Sequence, residues 1–122
     1  MTGGQMAPTT ILGQNSTTTP GGREINRDGA PLNLSEMIGI VDGSTYIERT
    51  AVNSPKNIRR TKRAIKKAFK TQLADLGFSL VEILSPCPTN WKMSPVNACK
   101  WIEDTMATVF PLKVIKDKVG NI

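Results

Sequence analysis

Phe78-Ser79-Leu80-Val81-Glu82-Ile83-Leu84 constrains this chain more than any other stretch. It is an apolar run of strand length, opened after Gly77 and closed by Ser85-Pro86-Cys87-Pro88. A run so rich in Leu, Val and Ile reads as a strand buried on both faces, the pattern of a parallel sheet covered by helices. Parallel neighbours need a crossover connection, and the residues before Phe78 supply one. Ser54 is placed to cap a helix, Pro55 to take its first position, and Gly77 to stop it after Leu76. Upstream of the helix, residues 46–52 have the β-branched content of a second strand. The expected unit is strand–helix–strand, with a right-handed crossover and parallel strands.

Within that helix, Ile58, Ile65, Ala68, Phe69, Leu73 and Leu76 are expected to face inward. Lysines and arginines fill most of the other positions. The chain has sixteen basic and ten acidic residues, and eight of the sixteen lie between Lys56 and Lys70. Without those eight the chain is slightly acidic, so the net charge of +6 belongs to one helix rather than to the fold. A basic helix face is ordinarily a solvated face; the other reading is a docking surface for an acidic protein or nucleic acid. The helix lacks the interleaved aromatics on which bases stack, which makes nucleic acid the less favoured partner.

The remaining elements follow from caps and periodicity. Asn33 with Glu36 three residues on opens a helix carrying Leu34, Met37, Ile38 and Val41 on one face, and Gly43 ends it. Ser94 and Pro95 open another, with Val96, Cys99, Ile102, Met106 and Val109 inward, closing before Pro111. Leu112-Lys113-Val114-Ile115-Lys116 then adds a short edge strand or docks along the surface. The glycine- and threonine-rich amino terminus reads as loop. Its Thr2-Gly3-Gly4-Gln5 could present N–H groups and hydroxyls to a phosphate, yet it matches neither the P-loop nor the dinucleotide fingerprint. The plainer reading is a disordered or linking arm. The chain is thus read as α/β, a loop arm over residues 1–32 followed by helix–strand–helix–strand–helix over residues 33–122.

No histidine is present, which removes the commonest general base and argues against self-contained hydrolytic catalysis. Ligands of open α/β sheets gather outside the carboxyl ends of the strands, and there this sequence places Cys87 between two prolines. Proline on both sides fixes the backbone and aims the thiol, which suits a metal or cluster ligand. Cys99, on a helix face, is read as core packing. Two cysteines make no disulfide framework, so reduced thiols are expected. No apolar run of membrane-spanning length or secretory leader is seen, and the expected location is the cytoplasm.

Two of these stretches together resemble one family. Thr2-Gly3-Gly4-Gln5-Met6-Ala7-Pro8-Thr9-Thr10 is similar to the loop that follows the thiamine-diphosphate motif in the β subunit of 2-oxoacid:ferredoxin (acceptor) oxidoreductases. Glu82-Ile83-Leu84-Ser85-Pro86-Cys87-Pro88-Thr89-Asn90-Trp91 is similar to that subunit's carboxyl-terminal cysteine loop. The resemblance implies a partial thiamine-diphosphate-binding fold, corresponding to the carboxyl-terminal part of the subunit. It implies oxidative decarboxylation of a 2-oxoacid to an acyl-coenzyme A, with electrons passing through a 4Fe–4S cluster to ferredoxin. It places Met1 and Thr2 beside the diphosphate and its magnesium, and makes Cys87 one cluster ligand. The family's acidic Gly-Asp-Gly segment, the asparagine that completes its magnesium site and its other cluster cysteines have no counterpart here. A fragment or truncated frame, inactive alone, is therefore expected, with the other subunits, ferredoxin, the 2-oxoacid and coenzyme A as partners.

Overall fold

The computed structural model describes residues 4–121. In chain order its elements are α1 (Ile25–Asp28), α2 (Leu34–Gly39), β1 (Ser44–Ala51), α3 (Pro55–Leu73), β2 (Phe78–Leu84), α4 (Pro88–Trp91), α5 (Pro95–Trp101), a π turn (Ile102–Met106), α6 (Ala107–Val109) and β3 (Val114–Asp117). They fall into two compact units. A sheet unit runs from Leu34 to Leu84 and resumes at Pro111; a cysteine-loop unit joins the chain up to Asn33 with Ser85–Phe110.

In the sheet unit the strand order is β2-β1-β3. β1 and β2 are parallel, with Ile47 opposite Leu80 and Thr50 opposite Ile83, as the strand–helix–strand reading requires. β3 runs antiparallel along the other side of β1, Tyr46 facing Asp117, and is the expected short edge strand. The central strand, however, is β1. The apolar run of β2 lies at an edge, half-buried, with Phe78 49% and Ile83 39% exposed, rather than in the sheet interior. β1 is buried at nearly every position even though it carries Glu48 and Arg49. Each of those charges is neutralised in place. Arg49, fully buried, donates from Nε to Glu82 at 2.6 Å and from its two terminal nitrogens to Glu36 at 2.5 and 3.0 Å. Glu48 accepts from Arg60 Nε at 2.7 Å and from the Tyr46 hydroxyl. A buried charge that is paired and hydrogen-bonded escapes most of the cost of leaving water.

α3 begins as expected: the Ser54 hydroxyl accepts from the Asn57 N–H at 3.3 Å, and Pro55 occupies the first turn. It ends earlier than Leu76. Asp75 takes a left-handed conformation (φ 54°), and the Leu76 N–H returns to the Thr71 carbonyl at 3.1 Å. Gly77 then adopts φ 112°, where a Cβ would come within 2.8 Å of Thr45 Cγ2 and 3.1 Å of the Gly43 carbonyl oxygen, so no other residue fits this turn. The expected inward stripe is also corrected. Thr61, Ala64 and Thr71 are the buried positions, while Ile58, Phe69 and Leu73 are exposed. Small side chains let the helix lie close to the strand pair, and Thr61 Oγ1 donates to the Ala51 carbonyl at 2.8 Å. The same inversion occurs on α2. Ser35 is buried and donates to Glu82, whereas Met37 is exposed, because Glu36 must reach Arg49; the helix stops at Gly39, short of the expected Gly43, and Val41 beyond it is exposed.

Burial opposes ionisation of Glu36, but the hydrogen bonds and charge of Arg49 outweigh it and hold the carboxyl below its ordinary value. Asp117 is likewise lowered: burial works against it, while Lys67 and the N–H groups of Val119 and Gly120 prevail. A carboxyl depressed in the folded state contributes stability above its unfolded value and loses it as the pH falls through the folded one. The urea midpoint should therefore be level near neutrality and decline steadily below about pH 4.5. A midpoint unchanged from pH 6 to about pH 3 would contradict these pairings.

The cysteine-loop unit has little regular structure before Asn33, yet it is ordered. Arg23, 6% exposed, donates Nε to the Gly29 carbonyl at 2.9 Å and its terminal nitrogens to the carbonyls of Ala7, Pro8, Thr10 and Ala30 at 2.7–3.2 Å. A second knot forms where Ser16 Oγ and Thr19 Oγ1 lie 2.6 Å apart, both buried. The linking-arm reading therefore gives way to a folded loop whose backbone groups are satisfied by backbone turn bonds and by side chains together. From Pro95 the chain is helical through α5, the π turn and α6. Its buried residues are Ala98, Ile102, Met106 and Phe110, one every fourth position. The wider π turn accommodates that interval, and the expected Val96, about 200° from Ala98 on α5, and Val109 are instead 76% and 50% exposed.

Candidate functional site

Cys87 is the residue that starts α4. Its φ and ψ of −129° and 73° lie outside the helix, Pro88 occupies the first helical position, and the Cys87 carbonyl accepts from the Trp91 N–H at 3.0 Å. Lys92 closes the single turn in a left-handed conformation (φ 54°), and the Met93 N–H bonds the Pro88 carbonyl at 3.0 Å. Trp91 anchors the turn from beneath: it is buried, its ring 4.9 Å from that of Trp101 and tilted by 52°. Proline thus stands on either side of a half-buried cysteine.

One side chain then joins this turn to the amino-terminal loop. Asn90 donates from Nδ2 to Cys87 Sγ at 3.3 Å, and its Oδ1 accepts from Thr17 Oγ1 at 3.0 Å. The Thr17 N–H in turn bonds the Gly4 carbonyl at 2.9 Å. Gly4 has φ 67°, and a Cβ there would sit 1.8 Å from Asn90 Nδ2, so glycine is required for the loop to approach the asparagine. Gly4, Thr17, Cys87 and Asn90 therefore form one connected cluster in this unit. Asn90 stands in the cysteine-loop stretch quoted above, but its link to Thr17, 73 residues away, carried no sequence signal.

Among the described residues, no group of three or more His, Cys, Asp or Glu side chains is placed to hold a metal ion. Cys99 is half-buried on α5. Met1 and Thr2, expected beside the diphosphate, lie outside the described residues. No helix among the described residues is long and apolar enough to cross a membrane.

The chain matches no family model, and no solved structure matches it. It is 42% identical over 118 residues to ketoisovalerate oxidoreductase subunit VorA of Methanothermobacter marburgensis, and equally so to VorA of Methanothermobacter thermautotrophicus, covering 97% of this chain in each comparison. It is 33% identical over 104 residues, 85% of this chain, to 2-oxoglutarate synthase subunit KorB of Archaeoglobus fulgidus. The chain spans only 25% of the length of either VorA protein and 34% of that KorB. Across nearly all of its length, then, this chain is a homologue of part of a 2-oxoacid:ferredoxin oxidoreductase subunit, the family that its cysteine loop and threonine–glycine loop resemble.

Proposed function

We propose that this chain is a component of a cytoplasmic 2-oxoacid:ferredoxin oxidoreductase, the carboxyl-terminal portion of its thiamine-diphosphate-binding domain. The observation that carries the reading is the cluster around Cys87: a half-buried cysteine with proline on both sides, hydrogen-bonded by Asn90. Such a sulfur fits one ligand of an iron–sulfur cluster, and the neighbouring amide donor is the kind of group that tunes it. Cys87 is assigned that role, while Asn90, Thr17 and Gly4 orient it and seat the loop leading to Met1 and Thr2. When bound, thiamine diphosphate would supply the carbanion chemistry for decarboxylating a 2-oxoacid on the way to an acyl-coenzyme A, and a cluster held in part by Cys87 would supply one-electron chemistry toward ferredoxin. This chain's donors fit neither the whole cluster nor a magnesium site. The isolated chain is therefore expected to be inactive.

The test is co-expression of the chain with the remaining oxidoreductase subunits, comparing Cys87→Ser with Cys99→Ser. Cys87→Ser is expected to lower iron content and visible cluster absorbance and to slow ferredoxin reduction at least about tenfold, the loss typical of a disturbed metal ligand shell. Cys99→Ser should preserve all three. Equal iron and equal turnover in the Cys87→Ser complex would overturn the assignment.

A further inference from the structure

We propose that the outward face of α3 is a docking surface for an acidic partner subunit, one that brings an apolar side chain flanked by carboxylates. At 100° per residue, the exposed side of this helix divides into two strips. Ile58, Phe69 and Leu73 share the first with Lys62 between them and half-buried Ile65 at its margin; Phe69 is 67% and Leu73 86% exposed. Arg59, Arg63, Lys66 and Lys70 share the second, immediately beside it.

The helix contains no acidic residue from Pro55 to Leu73. Of its eight cations, Arg60 pairs with Glu48 and Lys67 with Asp117, both from the sheet-facing side. Among the described residues, the four cations of the outer strip have no carboxylate at ion-pair distance. Two separate hollows flank the exposed side of the helix. One, of about 310 Å³, is lined by Arg63, Lys66, Lys67 and Lys70; the other, of about 220 Å³, by Ala68, Phe69, Gln72 and Ser79. A carboxylate suits the first and an apolar side chain the second.

The juxtaposition decides between classes of partner. A solvated cationic face has no reason to hold exposed Phe and Leu along its margin, and a phosphate backbone has no use for Ile58 or Leu73. An apolar strip bordered by unpaired charge is instead the composition of a protein interface, with an apolar centre that excludes water and a charged rim that steers encounter.

The proposal rests on the functional reading above for the choice of probe: the other oxidoreductase subunits, co-expressed and purified, titrated with the full chain. Arg59→Glu/Lys66→Glu/Lys70→Glu should weaken association by about tenfold or more and flatten its salt dependence. Phe69→Glu/Leu73→Glu should weaken it by about thirtyfold or more. Lys100→Glu, on α5, should leave it unchanged. Thermal midpoints should match the parent chain, since the substituted side chains are exposed, and zero-length carbodiimide coupling should join Lys66 or Lys70 to a partner carboxylate. Association that survives both sets of substitutions would overturn the surface but leave the functional reading in place. Failure of the parent chain to associate at all would overturn both. Tighter binding to a DNA duplex or to single-stranded RNA than to the subunits, with a steep salt slope, would overturn the proposal in favour of nucleic acid.

Discussion

Arg49→Met is expected to destabilise the sheet unit by about 3–5 kcal/mol, measured as a fall in the urea midpoint with the slope unchanged. The guanidinium is fully buried on the central strand and touches Glu36, Glu82 and the Pro111 carbonyl, the last at 3.4 Å. Its removal leaves two carboxylates near one another, Glu82 with a side chain only 16% and Glu36 28% exposed. Glu36 then keeps only half-exposed Lys113 at 3.4 Å, and Glu82 only the Ser35 hydroxyl. The size of the effect comes from those abandoned charges more than from the pair itself, so adding Glu36→Gln and Glu82→Gln to Arg49→Met should recover a large part of the stability. A loss below about 1 kcal/mol for the single substitution would mean that the carboxylates find other partners or water.

Arg23→Met should cost about 3 kcal/mol or more in the cysteine-loop unit, because five carbonyls lose a charged donor at once. Hydrogen exchange provides the local measurement. Amides between Ala7 and Ala30 are expected to lose protection, while those of β1 and β2 retain theirs. Arg23→Lys should fail to restore it, since an ammonium is a single point charge and cannot reach carbonyls on both sides as a planar fork does. Unchanged protection in Arg23→Met would mean that the loop is held by its backbone turns alone.

How much of this could be read in advance depended on whether the signal was local. Ser54, Pro55 and Gly77 mark the crossover within a few residues of its ends, and the parallel pairing of β1 with β2 follows from it. The order of the strands did not follow, because it depends on how charge is paired across elements. Glu48 and Arg49 argue against a central strand until Glu36, Glu82 and Arg60 are brought to them. The faces of α2 and α3 were misread for a related reason: periodicity locates an apolar stripe but does not say that the stripe is covered. On α3, threonine and alanine take the inside. Of the candidate site, Cys87 was legible from its two prolines. Thr17 and Arg23 were not, since a lone hydroxyl or guanidinium in a glycine-rich loop looks the same whether it faces water or organises the loop.

The shared amide of Asn90 carries a consequence for substitution at that position. With Oδ1 taken up by Thr17, the nitrogen is left to face the sulfur, so the orientation of the amide is settled by the hydroxyl on its far side. Aspartate has nearly the same outline and would pass every steric demand that Gly4 and α4 make. It would nevertheless replace the donor at the sulfur with an anion. Volume and polarity thus part company at this one position: an exchange almost invisible to the fold would reverse the sign of what Cys87 sees.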